Sequence, residues 1–187
     1  MEVVEEMKIL GIIVSSNMTW HSNTKYICDK GYARMWILRN LKRLGTGTDE
    51  LLDVYYKQCR SVLELAVPAW TPALTNSESN QIERVQKTAC AIILGENYTS
   101  YKRALKTLNM KTLKLRRSEL CLAFAKKTLK SEKFSNWYSV NDNHYDKTRS
   151  DKNVLHVVKT RTDKYKKSPV PYLTSILNDH LKRKDKK

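Results

Sequence analysis

The sequence predicts a mainly α protein: a short N-terminal β-hairpin, a bundle of about five helices, then a basic, largely irregular C-terminal segment with a short terminal helix. Three observations predict it. A compact β-branched run occurs near the N-terminus, apolar residues then recur at helical spacing to about residue 130, and beyond residue 139 apolar content and periodicity fade. The organisation expected is hairpin 1–20, helical domain 21–138, linker 139–153 and basic segment 154–187.

Lys8-Ile9-Leu10-Gly11-Ile12-Ile13-Val14 reads as a strand or hairpin, followed by the turn signal Ser15-Ser16-Asn17. From Trp20 to about Leu44 the pattern is helical, with Gly45 placed as a C-terminal cap. Tyr26, Ile27, Ala33, Ile37, Leu38, Leu41 and Leu44 fall in one arc of this helix, the expected core face. Thr48 to Ala66 is amphipathic through Leu51, Leu52, Tyr55, Tyr56, Cys59, Val62, Leu63 and Ala66, and Pro68 is its expected stop. Thr75 with Glu78 has the spacing of a capping box, opening a helix with the apolar face Ile82, Val85, Ala89, Ile92 and Ile93 that ends at Gly95.

A short helix from about Tyr101 to Leu108, a stop at Asn109, and a helix from about Thr112 to Lys130 follow. The last has two apolar stripes, Leu113/Leu120/Phe124 and Leu115/Leu122/Leu129, which predict burial on two sides. Residues 140–153 hold only Val140 and Tyr145 as apolar groups, too few to order a segment. Residues 154–158 are expected as an edge strand. Thr160 to Tyr172 is expected to be extended, since Pro169 and Pro171 bias the residues before them away from the α region. Leu173 to Leu181 is the expected terminal helix, before a frayed KRKDKK end.

The four cysteines lie 31 residues apart, at 28, 59, 90 and 121, but their flanks are not similar enough to make a repeat. Neither they nor the scattered histidines have zinc-ligand spacing, so no metal site is expected, and buried reduced thiols fit an intracellular chain, nuclear or cytoplasmic. No run approaches a bilayer span, and Met1 leads into Glu2, Glu5 and Glu6, unlike a secretory signal.

Charge is the strongest functional signal. The net charge is +16, from 35 Lys and Arg against 19 Asp and Glu; residues 1–100 hold 11 of each sign, so the whole excess lies beyond residue 100. A one-sided excess of this kind reads as a surface for polyanions. A second signal lies opposite the apolar arc of the first helix, where Lys25, Tyr32, Trp36, Arg39 and Arg43 form a stripe. Aromatic and basic side chains interleaved in this way suit base stacking with phosphate contact, and equally a protein interface with a basic rim. Arg116, Lys126, Lys127 and Lys130 fill one sector of the helix from Thr112, and Arg161, Lys164, Lys166 and Lys167 crowd the C-terminal segment. These complete the candidate phosphate-contacting set, against the reading of a solvated charge face.

The order of the segments resembles the C-terminal third of the reverse transcriptase of jockey-like non-LTR retrotransposons. Lys8-Ile9-Leu10-Gly11, the turn and Trp20 look like the hairpin after the polymerase palm. Leu38-Arg39-Asn40-Leu41-Lys42-Arg43 looks like the start of the thumb. Val62-Leu63-Glu64-Leu65-Ala66-Val67-Pro68-Ala69-Trp70 is similar to the family's Leu-Glu-Tyr-Ala-x-Pro-x-Trp signature, with Leu65 in place of Tyr. Ile82-Glu83-Arg84-Val85-Gln86-Lys87, then Ile92-Ile93-Leu94-Gly95, then Leu113 and Arg116-Arg117 through Phe124 continue it.

The resemblance implies a thumb-like bundle, a primer-grip-like role for Leu10 and Gly11, and a template–primer partner, RNA or an RNA/DNA duplex, held beside a palm that this chain lacks. The Mg²⁺ of the parent polymerase is held by a Tyr-x-Asp-Asp turn and an upstream Asp. Here there is no Asp-Asp pair, so no catalytic residue, cofactor or polymerase activity is expected of this chain. Two other readings remain open: a basic intracellular interaction module, and a decayed copy without a nucleic-acid role.

Overall fold

The computed structural model describes residues 4–138, 155–157 and 159–184. It is mainly helical with an N-terminal antiparallel hairpin, as the sequence predicts. The described residues divide into two compact units. One is the chain up to Val67 together with Leu74–Arg117; the other is Pro68–Ala73 with the described residues from Ser118 onward.

In the first unit, strands β1 (Glu6–Ile9) and β2 (Ile12–Ser15) pair Ile9 with Ile12 and Glu6 with Ser15. The connecting turn has only two residues, and both Leu10 (φ 47°) and Gly11 (φ 89°) are left-handed, the geometry that suits the twist of a tight hairpin. A Cβ on Gly11 would lie 3.0 Å from Leu65 Cδ2, so the turn packs closely on Leu65. Asn17 ends the hairpin, its side chain accepting from the Thr19 N–H at 2.9 Å.

The helix expected from Trp20 to Leu44 is divided at Arg34 into α1 (His21–Ala33) and α2 (Met35–Arg43). The junction tightens to an i→i+3 bond, Ile37 N to Arg34 O at 3.1 Å, while the Arg34 guanidinium donates to the Gln58 carbonyl. The tightening shifts the buried face: Asn23, Thr24, Ile27, Cys28, Gly31, Met35 and Leu38 are buried, whereas Ala33 and Leu44 of the expected arc are exposed. Gly31 permits the closest approach, since a Cβ there would sit 2.9 Å from Val85 Cγ1 and 3.3 Å from Leu63 Cδ2. The C-terminus of α2 is a Schellman motif around Gly45, with Gly45 N to Lys42 O and Thr46 N to Leu41 O both at 3.1 Å.

The next predicted helix also divides, into α3 (Thr48–Val54), a π-helical turn Tyr55–Arg60 and the short α4 (Ser61–Leu63). Leu51, Tyr55, Cys59 and Leu63 are buried as expected, but the helix stops before Pro68, at a turn where Ala66 is left-handed (φ 50°) and exposed. Pro68 instead lies near the start of α5 (Val67–Trp70), where a missing N–H leaves no bond unmade.

The central helix of this unit is α6 (Asn76–Leu94), which contacts α1, α2, α3 and α7 (Tyr101–Thr107). Its capping box is present: Thr75 Oγ1 accepts from Glu78 N at 3.2 Å, and the Glu78 carboxylate accepts from Thr75 N at 2.8 Å. A second Schellman motif closes α7, with Asn109 (φ 48°) as its left-handed residue and Met110 N on Leu105 O at 2.8 Å.

Helix α8 (Leu113–Leu129) continues from the first unit into the second. Its buried line is Leu113, Arg117, Cys121, Ala125 and Thr128, which keeps only Leu113 of the two predicted stripes. Leu115 and Leu129 are exposed.

In the second unit, a 3₁₀ turn spans Glu132–Trp137, and α9 (Asp163–Lys166) and α10 (Pro169–Lys184) occupy the stretch expected to be extended. The first backbone bond of α10 runs from Tyr172 N to Ser168 O at 3.4 Å, so both prolines fall in the first turn, whose N–H groups have no helical partner. The terminal helix therefore starts earlier and runs longer than expected. Asn178 donates to Leu155 O and accepts from Leu155 N, both at 2.9 Å, holding the described part of the expected edge strand through a side chain. Val154, Val158 and the expected linker 139–153 lie outside the described residues.

Candidate nucleic-acid interface

Every side chain of the predicted stripe on α1 and α2 is exposed: Lys25, Tyr32, Trp36, Arg39 and Arg43. Lys25 and Tyr32, seven apart on α1, share one side of that helix, and Trp36, Arg39 and Arg43, at i, i+3 and i+7, share one side of α2. Tyr32 is 40% and Trp36 60% exposed, although the aromatic rings of a folded domain are mostly driven inward. Lys25, Arg39 and Arg43 make no ion pair among the described residues, so their charge is not neutralised locally. A planar π-face and uncommitted cations on one ridge can stack a base and contact flanking phosphates.

Neighbouring cations behave differently. Lys42, between Leu41 and Arg43, turns its ammonium to the Ile93 carbonyl at 2.9 Å and ties α2 to α6. Arg116, predicted as a phosphate contact, donates through Nε to Glu64 Oε1 at 3.0 Å, a carboxylate that Arg60 also approaches at 3.4 Å. Glu64 is largely enclosed, so this pair belongs to the scaffold. Lys8 and Lys30 stand 4.9 and 4.6 Å from the Tyr26 ring centroid, a second cation–aromatic group on α1 that sequence spacing did not bring together.

The other predicted cations lie in the second unit. Lys126, Lys127 and Lys130 are exposed on or just past α8; Arg161, Lys164, Lys166 and Lys167 are exposed on and around α9, which Thr162 caps by accepting from Tyr165 N at 3.3 Å. Leu10, assigned a primer-grip-like role with Gly11, is 95% exposed at the hairpin tip.

The chain matches no family model, no curated protein and no solved structure.

A buried polar network in the first unit centres on Gln86, whereas Asn23 Nδ2, Thr24 Oγ1 and Tyr98 Oη are buried with no hydrogen-bond partner among the described residues. Tyr55 donates to Gln86 Oε1, and Gln86 Nε2 donates to Tyr101 Oη and to Lys111 O, all at 2.9 Å. Tyr101 in turn donates to Glu83, whose carboxylate accepts from Leu113 N at 3.1 Å and Lys114 N at 3.2 Å at the start of α8. Burial, then the Glu83 carboxylate, push the Tyr101 phenol well above its ordinary pKa. These groups join α6, α7 and α8. All four cysteines are buried thiols, and burial pushes Cys28, Cys59 and Cys90 up to about 11, far from the thiolate a nucleophile needs. Among the described residues there is no group of three His, Cys, Asp or Glu placed to hold a metal ion, and no helix long and apolar enough to cross a membrane.

Proposed function

We propose that this chain binds template–primer-like nucleic acid, RNA or an RNA/DNA duplex, and performs no chemistry on it. It would be the post-palm and thumb region of a non-LTR reverse transcriptase. The observation that carries the reading is the set Lys25, Tyr32, Trp36, Arg39 and Arg43, with two exposed rings and three cations that make no ion pair among the described residues. Such a surface holds the backbone through charge and the bases through stacking, and so reads geometry more than sequence. The exposed cations of the second unit add to the polyanion attraction without specifying a path.

The test is fluorescence anisotropy with a labelled RNA–DNA hybrid at two salt concentrations. Tight binding that weakens steeply with salt and ignores sequence supports the reading; a folded chain that fails to bind at low salt refutes it. Template-directed synthesis in a Mg²⁺-containing primer-extension assay would refute the absence of polymerase activity. A second reading, an interface for an acidic protein, is favoured by Leu44, 81% exposed just beyond Arg43. Nucleic-acid affinity unchanged after neutralising Arg39 and Arg43 together would select it.

A further inference from the structure

The hairpin has one closed edge and one open edge. Ile9 and Ile12 exchange bonds across the two-residue turn, and the Glu5 carbonyl accepts from Ser16 N at 2.8 Å, so on β1 the odd-numbered backbone groups face β2. The N–H and C=O of Glu6 and Lys8 therefore point away from the hairpin. On β2 the corresponding outward N–H, that of Ile13, is bonded to Asn23 Oδ1 at 3.0 Å, and α1 packs against this strand. No described residue does the same for β1. Val4 to Leu10 are all exposed, with Met7 at 56% and Ile9 at 43%.

We infer that β1 pairs antiparallel with β1 of a second copy of this chain, across a two-fold axis at Met7. The partner follows from the charges on the edge. Outward-facing groups pair only with outward-facing groups, so Glu6 must oppose Val4, Glu6, Lys8 or Leu10 of the other copy, and Glu6 against Val4 leaves Lys8 opposite no described residue. Glu6 against Glu6 sets like carboxylates opposite, and Glu6 against Leu10 forces Lys8 against Lys8. Among the described residues, only Glu6 against Lys8 sets opposite charges together, and the two-fold axis makes that pair twice. It also places Met7 against Met7.

The side chains agree with this register. Glu6 and Lys8 lie on the face toward α1, where the Ser22 hydroxyl donates to Glu6 and Lys8 stands over Tyr26. Met7 and Ile9 share the opposite face with their partners Val14 and Ile12. Pairing two copies joins these residues into one continuous apolar face on a four-stranded sheet and satisfies the open backbone groups of both edges.

The test uses the full chain in sedimentation equilibrium and amide hydrogen exchange. With rising concentration the mass should move from one chain to two, and the Glu6 and Lys8 amides should become protected while those of Met7 and Ile9, already bonded within the hairpin, change little. Lys8→Glu should weaken association by about tenfold, because two cross-strand pairs turn from attraction to repulsion. The double exchange Glu6→Lys with Lys8→Glu should restore it. A monomer at every concentration overturns the inference, as does a dimer that Lys8→Glu leaves equally tight. If Lys8→Glu loses its circular-dichroism signature of folding, exchange in the unmodified chain decides alone: concentration-dependent protection at Glu6 and Lys8 supports the pairing, and its absence refutes it.

Discussion

The two sides of the α1–α2 helix pair differ in what their residues are held by. The inner side carries Ile27, Gly31, Met35 and Leu38, all buried, and approaches α6 closely enough that a single added Cβ would crowd Val85. The outer side carries Lys25, Tyr32, Trp36, Arg39 and Arg43, all exposed, with no ion pair to any of its three cations among the described residues. Under the proposed function, one helix pair separates stability from recognition: changes on the inner side are then felt in unfolding and changes on the outer side in binding.

The largest expected effect is on the inner side. Leu38 is completely buried, so Leu38→Ala should lower stability by about 2–5 kcal/mol, read as a fall in the urea midpoint. Gly31→Ala sharpens the point. Alanine favours a helix over glycine by about 1 kcal/mol, yet here the new methyl meets a stiff, buried valine, and a net loss of stability is expected. A more stable Gly31→Ala protein would show that α1 and α6 are not locked as closely as this contact requires.

The buried thiols give the core a second signature. Burial raises Cys28, Cys59 and Cys90 from an ordinary value of 9 to about 11, so between those pH values the unfolded chain has lost protons that the folded chain keeps. Their contribution to stability is complete below pH 9 and declines as pH rises from 9 to 11. Thermal melts across that range should show the decline, and replacing the three by Ala should flatten it. A native protein whose thiols react with iodoacetamide at pH 8 as fast as free cysteine would contradict their burial.

On the outer side, Trp36→Ala should leave the melting temperature almost unchanged and weaken hybrid binding by about 1–3 kcal/mol, the worth of one stacked base. Comparable losses of both would place Trp36 in the scaffold and break the distinction between the two sides.

This division was partly legible in the sequence. The caps at Thr75, Gly45 and Asn109 use local chemistry, in which a side chain or a left-handed residue closes a helix within a few positions, and all three appear where expected. The outer stripe was legible because a helix places it by spacing alone. The exact inner face was not. Arg34 tightens the helix through a bond to Gln58, and Gly31 contributes by lacking a side chain, so neither registers in an apolar pattern. The prolines at 169 and 171 misled for a related reason: their preference against helix interiors does not apply to a first turn. Arg116 shows the limit for the candidate site, because its sequence neighbourhood is basic and only the distant Glu64 reveals that its charge is committed.

That commitment separates two kinds of arginine and supplies the smallest and most discriminating difference. Arg116→Ala removes one of two arginines from the enclosed Glu64 carboxylate and should cost about 1 kcal/mol of stability. Its effect on how affinity varies with salt should be small, because its charge is already spent within the fold. Arg39→Ala with Arg43→Ala should do the reverse: stability changes within about 0.5 kcal/mol, since neither side chain has an ion pair among the described residues, while the slope of log affinity against log salt on a duplex falls by about 1.8. Paired melts and salt titrations on the two variants measure both quantities. If Arg116→Ala shifts the salt slope as much as the double variant does, the Glu64 pair opens on binding and the phosphate path extends beyond the α1–α2 ridge.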